Sequence, residues 1–295
     1  MTQPTIGFIG LGLMGAAMVG RLQDKGYALN VLGNRDRTGV EAALARGASE
    51  AATAKELAQA SDIIMLCMGT SVQVEGRMRG DDGVIAGLSE GKVVVDFGTS
   101  LPSSTKALGD EVSAQGATLL DAPLGRTPSH AKDGLLNIMA AGDRATYDRI
   151  KPVLDDLGEN VFHLGALGAG HTIKLINNFF AMTTANAMSE AFAMADAAGI
   201  ARDGLYDVMS AGPLKSGMME FIKAYAVDGD PQMLAFAIKN GAKDVGYYRQ
   251  MAADLGADTI MSACADSALS AAIEDGRGEA MVPEMVDFYA ARFKG

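Results

Sequence analysis

The segment Ile6-Gly-Phe-Ile-Gly10-Leu-Gly12-Leu-Met-Gly15 constrains this chain more than any other feature. An apolar strand runs straight into a turn and then into a helix. Gly10 permits the tight turn, Gly12 lets backbone approach a pyrophosphate, and Gly15 lets the helix close onto the strand. The phosphates would rest on N–H groups at the positive end of that helix. Gly10, Leu11, Gly12, Leu13, Met14 and Gly15 are therefore the first candidate cofactor residues.

The downstream pattern supports a dinucleotide domain. Apolar runs at 5–10, 28–33, 62–68, 92–96 and 117–121 read as buried strands, and helical spacing fills 14–25, 37–46, 54–60 and 103–115. Such alternation implies crossover units and a parallel sheet covered on both faces. Two further strand-like runs, 136–141 and 160–164, flank a helix at 144–156. Beyond Gly165 the pattern is helical only, over roughly 171–198, 202–211, 215–226, 232–254, 258–275 and 283–293. The expected fold is an α/β Rossmann domain over 1–165 and an all-α domain over 166–295 that serves substrate binding and dimerisation.

Composition narrows the function. With 36 acidic and 25 basic residues the chain carries a net charge of −11 and no basic run, so nucleic acid is not an expected partner. The two cysteines, Cys67 and Cys264, lie far apart and read as small apolar fillers. Only three histidines occur, none at ligand spacing, so no metal is expected. The N-terminus lacks the charged region of a signal peptide. The apolar stretch 175–199 carries Asn177, Asn178, Asn186, Glu190 and Asp196, which favours a buried helix over a membrane span. We expect a cytoplasmic protein.

The strand at 28–33 normally ends in an acid that binds the ribose 2′-hydroxyl. Here it ends in Gly33-Asn34-Arg35-Asp36-Arg37. Asn34 takes the acid's place, and Arg35 can grip a 2′-phosphate. This pattern favours NADP, while Asp36 leaves room for NAD.

Together with three downstream segments, the glycine fingerprint resembles the β-hydroxyacid dehydrogenase family. That family includes 3-hydroxyisobutyrate dehydrogenase, tartronate semialdehyde reductase and, more distantly, 6-phosphogluconate dehydrogenase. The segments are Asp121-Ala-Pro-Leu-Gly-Arg-Thr127, Gly168-Ala-Gly-His-Thr-Ile-Lys174-Leu-Ile-Asn177-Asn178 and Lys243-Asp244. The resemblance implies Lys174 as catalytic acid/base, with Asn177 and Asn178 holding substrate. It implies Lys243, Met68 and Gly69 at the cofactor, and Thr99 near the nicotinamide ribose. Where most members read Ser-Gly-Gly and bind a carboxylate, this chain has Gly125-Arg126-Thr127. That form resembles the branch that includes sulfolactaldehyde reductase, in which the arginine faces a sulfonate.

The chemistry asked of Lys174 is simple. Hydride transfer to a carbonyl builds charge on oxygen, and an ammonium can neutralise it or, in reverse, take the hydroxyl proton. Asn177 and Asn178, three and four residues on, share its helical face. His171 and His163 are weaker candidates. The expected reaction interconverts a small anionic β-hydroxy acid or hydroxysulfonate and its aldehyde. Alternatives are an ordinary carboxylate dehydrogenase of hydroxyisobutyrate or tartronate semialdehyde type, an imine reductase, or a non-catalytic NADP-binding protein. Retention of Lys174 speaks against the last two. The apolar helix at 171–198 is expected to have two buried sides and to pack across the interface of a homodimer or homotetramer.

Overall fold

The computed structural model describes residues 3–293, which divide into two compact units, 1–174 and 175–295. The first unit holds strands β1 (Ile6–Ile9), β2 (Leu29–Leu32), β3 (Ser49–Ala51), β4 (Ile63–Leu66), β5 (Val93–Asp96), β6 (Thr118–Asp121), β7 (Leu124–Gly125), β8 (Leu136–Ala140) and β9 (Gly158–His163). Its helices are α1 (Leu13–Asp24), α2 (Thr38–Ala45), α3 (Ala54–Gln59), α4 (Ser71–Met78), α5 (Pro102–Ser113), α6 (Pro128–Asp133) and α7 (Arg144–Leu157).

Six strands form one parallel sheet in the order β3-β2-β1-β4-β5-β6. The order reverses between β1 and β4, and in open α/β sheets the crevice beyond the strand ends at that point holds the ligand. Period-2 alternation explains the two cores. Ile6, Phe8, Ile63, Met65, Val93 and Val95 point to one face, with Met18 and Leu22 of α1. Ile9, Ile64, Leu66 and Val94 point to the other, with Leu57 of α3. Burial on both sides is why these strands read as unbroken apolar runs.

The last three strands form a separate sheet, β7-β8-β9, with β7 antiparallel and β9 parallel to β8. A short bridge between Asp121 and Ala141 joins it to the end of β6. Four elements were not apparent in the sequence: β3, β7, α4 and α6.

The second unit is built from α8 (Ala169–Ala197, which begins in the first unit), α9 (Arg202–Ser210), α10 (Gly217–Ala226), α11 (Ile238–Asp254), α12 (Ile260–Glu274) and α13 (Met285–Phe293). Among its described residues there is no strand. Met182, Met188, Met219 and Met285 lie in its core beside Phe192, Ile222, Val245 and Leu269. The stretch expected to be 232–254 is helical only from Ile238, after a short 3-10 turn at Gln232–Leu234. Within the single chain, α8 exposes Phe180 (69%), Met194 (53%) and Ile176 (48%). No helix among the described residues is long and apolar enough to cross a membrane.

The start of α8 is fixed by one buried carboxylate. Asp121, at the end of β6, accepts hydrogen bonds from the N–H groups of Gly168 (2.8 Å) and His171 (2.7 Å). Gly170 brings the backbones this close, since a Cβ there would lie 2.2 Å from the Met139 carbonyl oxygen. Burial pushes the Asp121 carboxyl up from its ordinary value, against the pull of His171 and of these N–H donors. Replacing Asp121 with Ala should leave both donors unsatisfied and cost about 2–4 kcal/mol of stability. Urea unfolding of wild type and D121A checks this, and equal midpoints would show that α8 is anchored elsewhere.

Candidate active site

The crevice beyond β1 and β4 is shaped by backbone contacts that only glycine permits. Gly10 adopts φ +97°, and a Cβ there would lie 2.3 Å from the Cys67 carbonyl oxygen. A Cβ on Gly15 would lie 1.9 Å from the Gly10 carbonyl oxygen. Gly12 differs, for a Cβ there would meet no atom within 4 Å. Protein packing thus accounts for Gly10 and Gly15 but not for Gly12. The open space at Gly12 lies against the first turn of α1, which has no side-chain cap and no acidic residue. A pyrophosphate fits that space in shape and charge.

Beside it a cavity of about 200 Å³ is lined by Gly10, Leu11, Gly12, Gly33, Asn34, Asp36, Met68 and Arg77. An adjoining one of about 480 Å³ is lined by Gly10, Asn34, Cys67, Met68, Gly69, Gln73 and Arg77. Most of the expected cofactor residues of this unit thus meet at one crevice. Leu13 does not, because its side chain is 86% exposed and borders another hollow with Pro128 and Lys132 of α6. Met14 packs against the core. Both can offer only backbone to a phosphate here.

At the adenosine end the arginines divide sharply. Arg37 donates to both carboxylate oxygens of Glu50, at 2.6 and 3.0 Å, and Glu41 lies nearby. Arg35 is exposed and forms no hydrogen bond or ion pair among the described residues. Asp36 caps α2 by accepting from the Thr38 N–H at 3.0 Å, and that bond holds its carboxyl below the usual value.

Thr99 follows β5 on a turn organised by buried Asp96. Asp96 accepts from the Gly98 N–H and the Ser100 hydroxyl, each at 2.8 Å. Gly98 keeps this turn close to β4, since a Cβ there would approach the Met68 carbonyl oxygen to 2.9 Å. Behind the turn, His171 is fully buried. Its Nδ1 lies 2.7 Å from the Thr105 hydroxyl, and its ring sits between Asp96 and Asp121 at 3.7 and 3.8 Å. Sequence reasoning treated His171 as a spare proton donor and gave Asp96 and Thr105 no part. His171 faces the interior, one helical turn before half-buried Lys174.

In the second unit, Asn178 is buried and donates to the Asp244 carboxylate at 2.6 Å. Asn177 is exposed and donates to the Asn178 side-chain oxygen at 3.1 Å. Lys243 pairs with Asp244 at 2.9 Å. Asp244 therefore joins Asn177, Asn178 and Lys243 into one polar cluster. It was visible in the Lys243-Asp244 pair, but only its burial reveals this bridging position.

β6 ends at Asp121, as the apolar run 117–121 implied, and Arg126 follows β7 in the small sheet. Arg126 has φ +77°, the one non-glycine residue with positive φ among those described. Its Nη1 donates to the Leu135 carbonyl (2.7 Å) and to Glu159 (2.5 Å). Glu159, on β9, is the acid engaged. The Thr127 hydroxyl lies 2.7 Å from His130 Nδ1.

Comparison with known proteins agrees with this geometry. Residues 5–165 match the NAD binding domain of 6-phosphogluconate dehydrogenase, and residues 168–289 match the NAD-binding domain of NADP-dependent 3-hydroxyisobutyrate dehydrogenase. The chain is 30% identical to the 3-sulfolactaldehyde reductase of Escherichia coli, covering 92% of this chain and 91% of that one. It is 33% identical to the NAD-dependent L-serine dehydrogenase of Pseudomonas aeruginosa over 69% of this chain and 68% of that one. The crystal structure of 3-hydroxyisobutyrate dehydrogenase from Salmonella typhimurium superposes with a TM-score of 0.83 at 28% identity, covering 97% of this chain and all of that one. The chain belongs to the family of NAD(P)-dependent β-hydroxyacid dehydrogenases with a 6-phosphogluconate dehydrogenase-type NAD-binding domain, and is an oxidoreductase.

The two glycine roles can be separated by experiment. Gly12→Ala should keep the unfolding midpoint of wild type while weakening dinucleotide binding about tenfold or more, because the methyl enters the phosphate space. Gly15→Ala should lower stability by roughly 2 kcal/mol or more, because backbone must move. Loss of stability in G12A with unchanged cofactor affinity would contradict this division.

Proposed function

We propose that this enzyme is an NADP-preferring reductase of a short aldehyde bearing an anionic group, with Lys174 as its acid/base. The observation that carries the substrate class is Arg126. A left-handed conformation costs a side chain roughly 1–2 kcal/mol, and glycine would avoid it. A strained, charged residue in that position points to a function. Glu159 neutralises one edge of the guanidinium, whose planar fork can still present donors to a carboxylate or sulfonate. Gly125, beside it, adds no bulk.

Bound NADPH supplies the hydride. Lys174 donates a proton to the oxygen on which charge develops, and in the reverse direction accepts the hydroxyl proton. Asn177 and Asn178 hold substrate hydroxyls. Asp244 fixes the Asn178 amide, so that its orientation is set before substrate arrives. Arg35 beside Asn34 supports the NADP preference. Lys243 would line the cofactor and Thr99 the nicotinamide ribose.

Residues 166–295 then serve substrate binding and dimerisation. Exposed Phe180, Leu214 and Met261 line a hollow of about 440 Å³ on the second unit, which supports a homodimer or homotetramer. A cytoplasmic location fits two unpaired cysteines. A carboxylate dehydrogenase of hydroxyisobutyrate or tartronate semialdehyde type is the second reading, since Arg126 can bind either anion.

Three variants test these assignments. Lys174→Ala should lower kcat by about 10²–10⁴ with cofactor affinity near wild type. Normal turnover would remove Lys174 from the chemistry. Arg126→Ala should lower kcat/KM for sulfonated or carboxylated aldehydes roughly thirtyfold or more, and for uncharged aldehydes far less. An equal fall for both would mean that Arg126 only shapes its loop. Arg35→Asp should shift the NADPH/NADH preference toward NADH about thirtyfold or more, as a phosphate loses one cation and meets an anion.

A further inference from the structure

We propose that Arg77, on the last turn of α4, is a second specificity residue that binds the adenosine 2′-phosphate of NADPH from across the cleft. The inference rests on the NADP reading above and extends it to a residue in a different element. Arg77 lines both hollows at the adenosine end, facing them together with Asn34, Gly10 and Met68. Asn34 follows β2, whereas Arg77 follows β4, so the two stand on opposite sides of the switch-point crevice.

Charge pairing around this crevice is selective. Arg37 is held by Glu50 and Glu41. Arg79, two residues past Arg77, is held by Glu75 and Glu111. Arg35 and Arg77 form no hydrogen bond or ion pair through their side chains among the described residues. In a chain of net charge −11, acids are abundant, yet Arg77, which lines the cleft, and exposed Arg35, next to Asn34 in the sequence, have none. Asp36, the acid that borders the smaller hollow, is turned to cap α2. An unpaired arginine in the lining, against one engaged carboxylate, leaves a site suited to a dianion and poorly matched to a neutral ribose hydroxyl.

Arg77 is also prepared for this task. The Thr70 hydroxyl accepts from the Gln73 N–H, and the Gln73 side chain accepts from the Gly69 N–H, fixing the start of α4. At the other end, the Val84 N–H donates to the Arg77 carbonyl. The side chain is half-buried against the cavity wall, so less freedom is lost when it binds. The competing role is flat stacking of the guanidinium on adenine, which would serve NADH and NADPH alike.

The test uses the full-length protein as wild type, R77A and R77L, titrated with NADPH and NADH and with 2′,5′-ADP and 5′-ADP as competitors. We expect R77A and R77L to weaken NADPH and 2′,5′-ADP about ten- to a hundredfold, with NADH and 5′-ADP changed less than about threefold. Matching weakening of all four would assign Arg77 to the adenine and overturn the proposal, as would no change. A wild type that binds NADH at least as tightly as NADPH would instead overturn the NADP reading. Even then, the 2′,5′-ADP to 5′-ADP ratio in R77L reports separately on whether Arg77 meets a phosphate. Unfolding midpoints equal to wild type confirm that the variants keep their fold.

Discussion

The buried carboxylate of Asp121 sets the geometry on which the chemistry depends. It ends the last strand of the parallel sheet and receives the first N–H groups of α8. A helix start is a positive pole, and an anion there is worth most when water is excluded. His171 and Asp96 extend the same network to the turn that carries Thr99. Thr99 and Lys174 are thus referred to one buried cluster within the first unit. Lys174 sits one turn into a helix whose first residues have little freedom to move.

The glycines show how a fingerprint divides between folding and binding. Gly10 and Gly15 are demanded by backbone crossing backbone, and any chain making this turn would need them. A Cβ on Gly12 would meet nothing in the protein, so packing does not demand glycine there. Two glycines of the motif thus serve architecture, and the third leaves the space proposed for a phosphate. The same distinction applies to charge. Arg37 and Arg79 are parts of the scaffold, each tied to two acids, while Arg77 lines the cleft and Arg35 is exposed beside Asn34 in the sequence.

Most of the architecture was legible because it is written in long apolar runs. Residues 63–66 and 93–96 are buried on both faces and can hardly be anything but central strands. The elements missed are those without such runs. The strand Ser49–Ala51 is an edge strand with two exposed residues, and Leu124–Gly125 is two residues long. Helix α4 offers a weak apolar stripe, although Thr70 and Gln73 at their capping spacing could have announced it. Missing α4 hid Arg77, since nothing local in the sequence connects that residue with Asn34. Asp244 was in plain view but acquires its meaning from contact with Asn178, which lies 66 positions away.

Arg126 is where sequence and structure part most informatively. The apolar run 117–121 marks the strand, but nothing local in the sequence shows what aims the arginine beyond it. The chain leaves the large sheet at Asp121, forms a two-residue strand against β8, and turns through a left-handed residue. That turn, rather than a strand, aims the side chain, and Glu159 on β9 holds it. A half-exposed ion pair of this kind contributes little to stability, so its value lies in restricting the guanidinium to one orientation. Under the proposed function, an incoming carboxylate or sulfonate would meet a group already ordered, at the cost of sharing its charge with Glu159. Such sharing weakens attraction for any anion but penalises poorly aligned ones most, because only bidentate geometry recovers the lost interaction. In the proposed role, strain, pairing and position would act together to favour shape over bare charge in the choice of substrate.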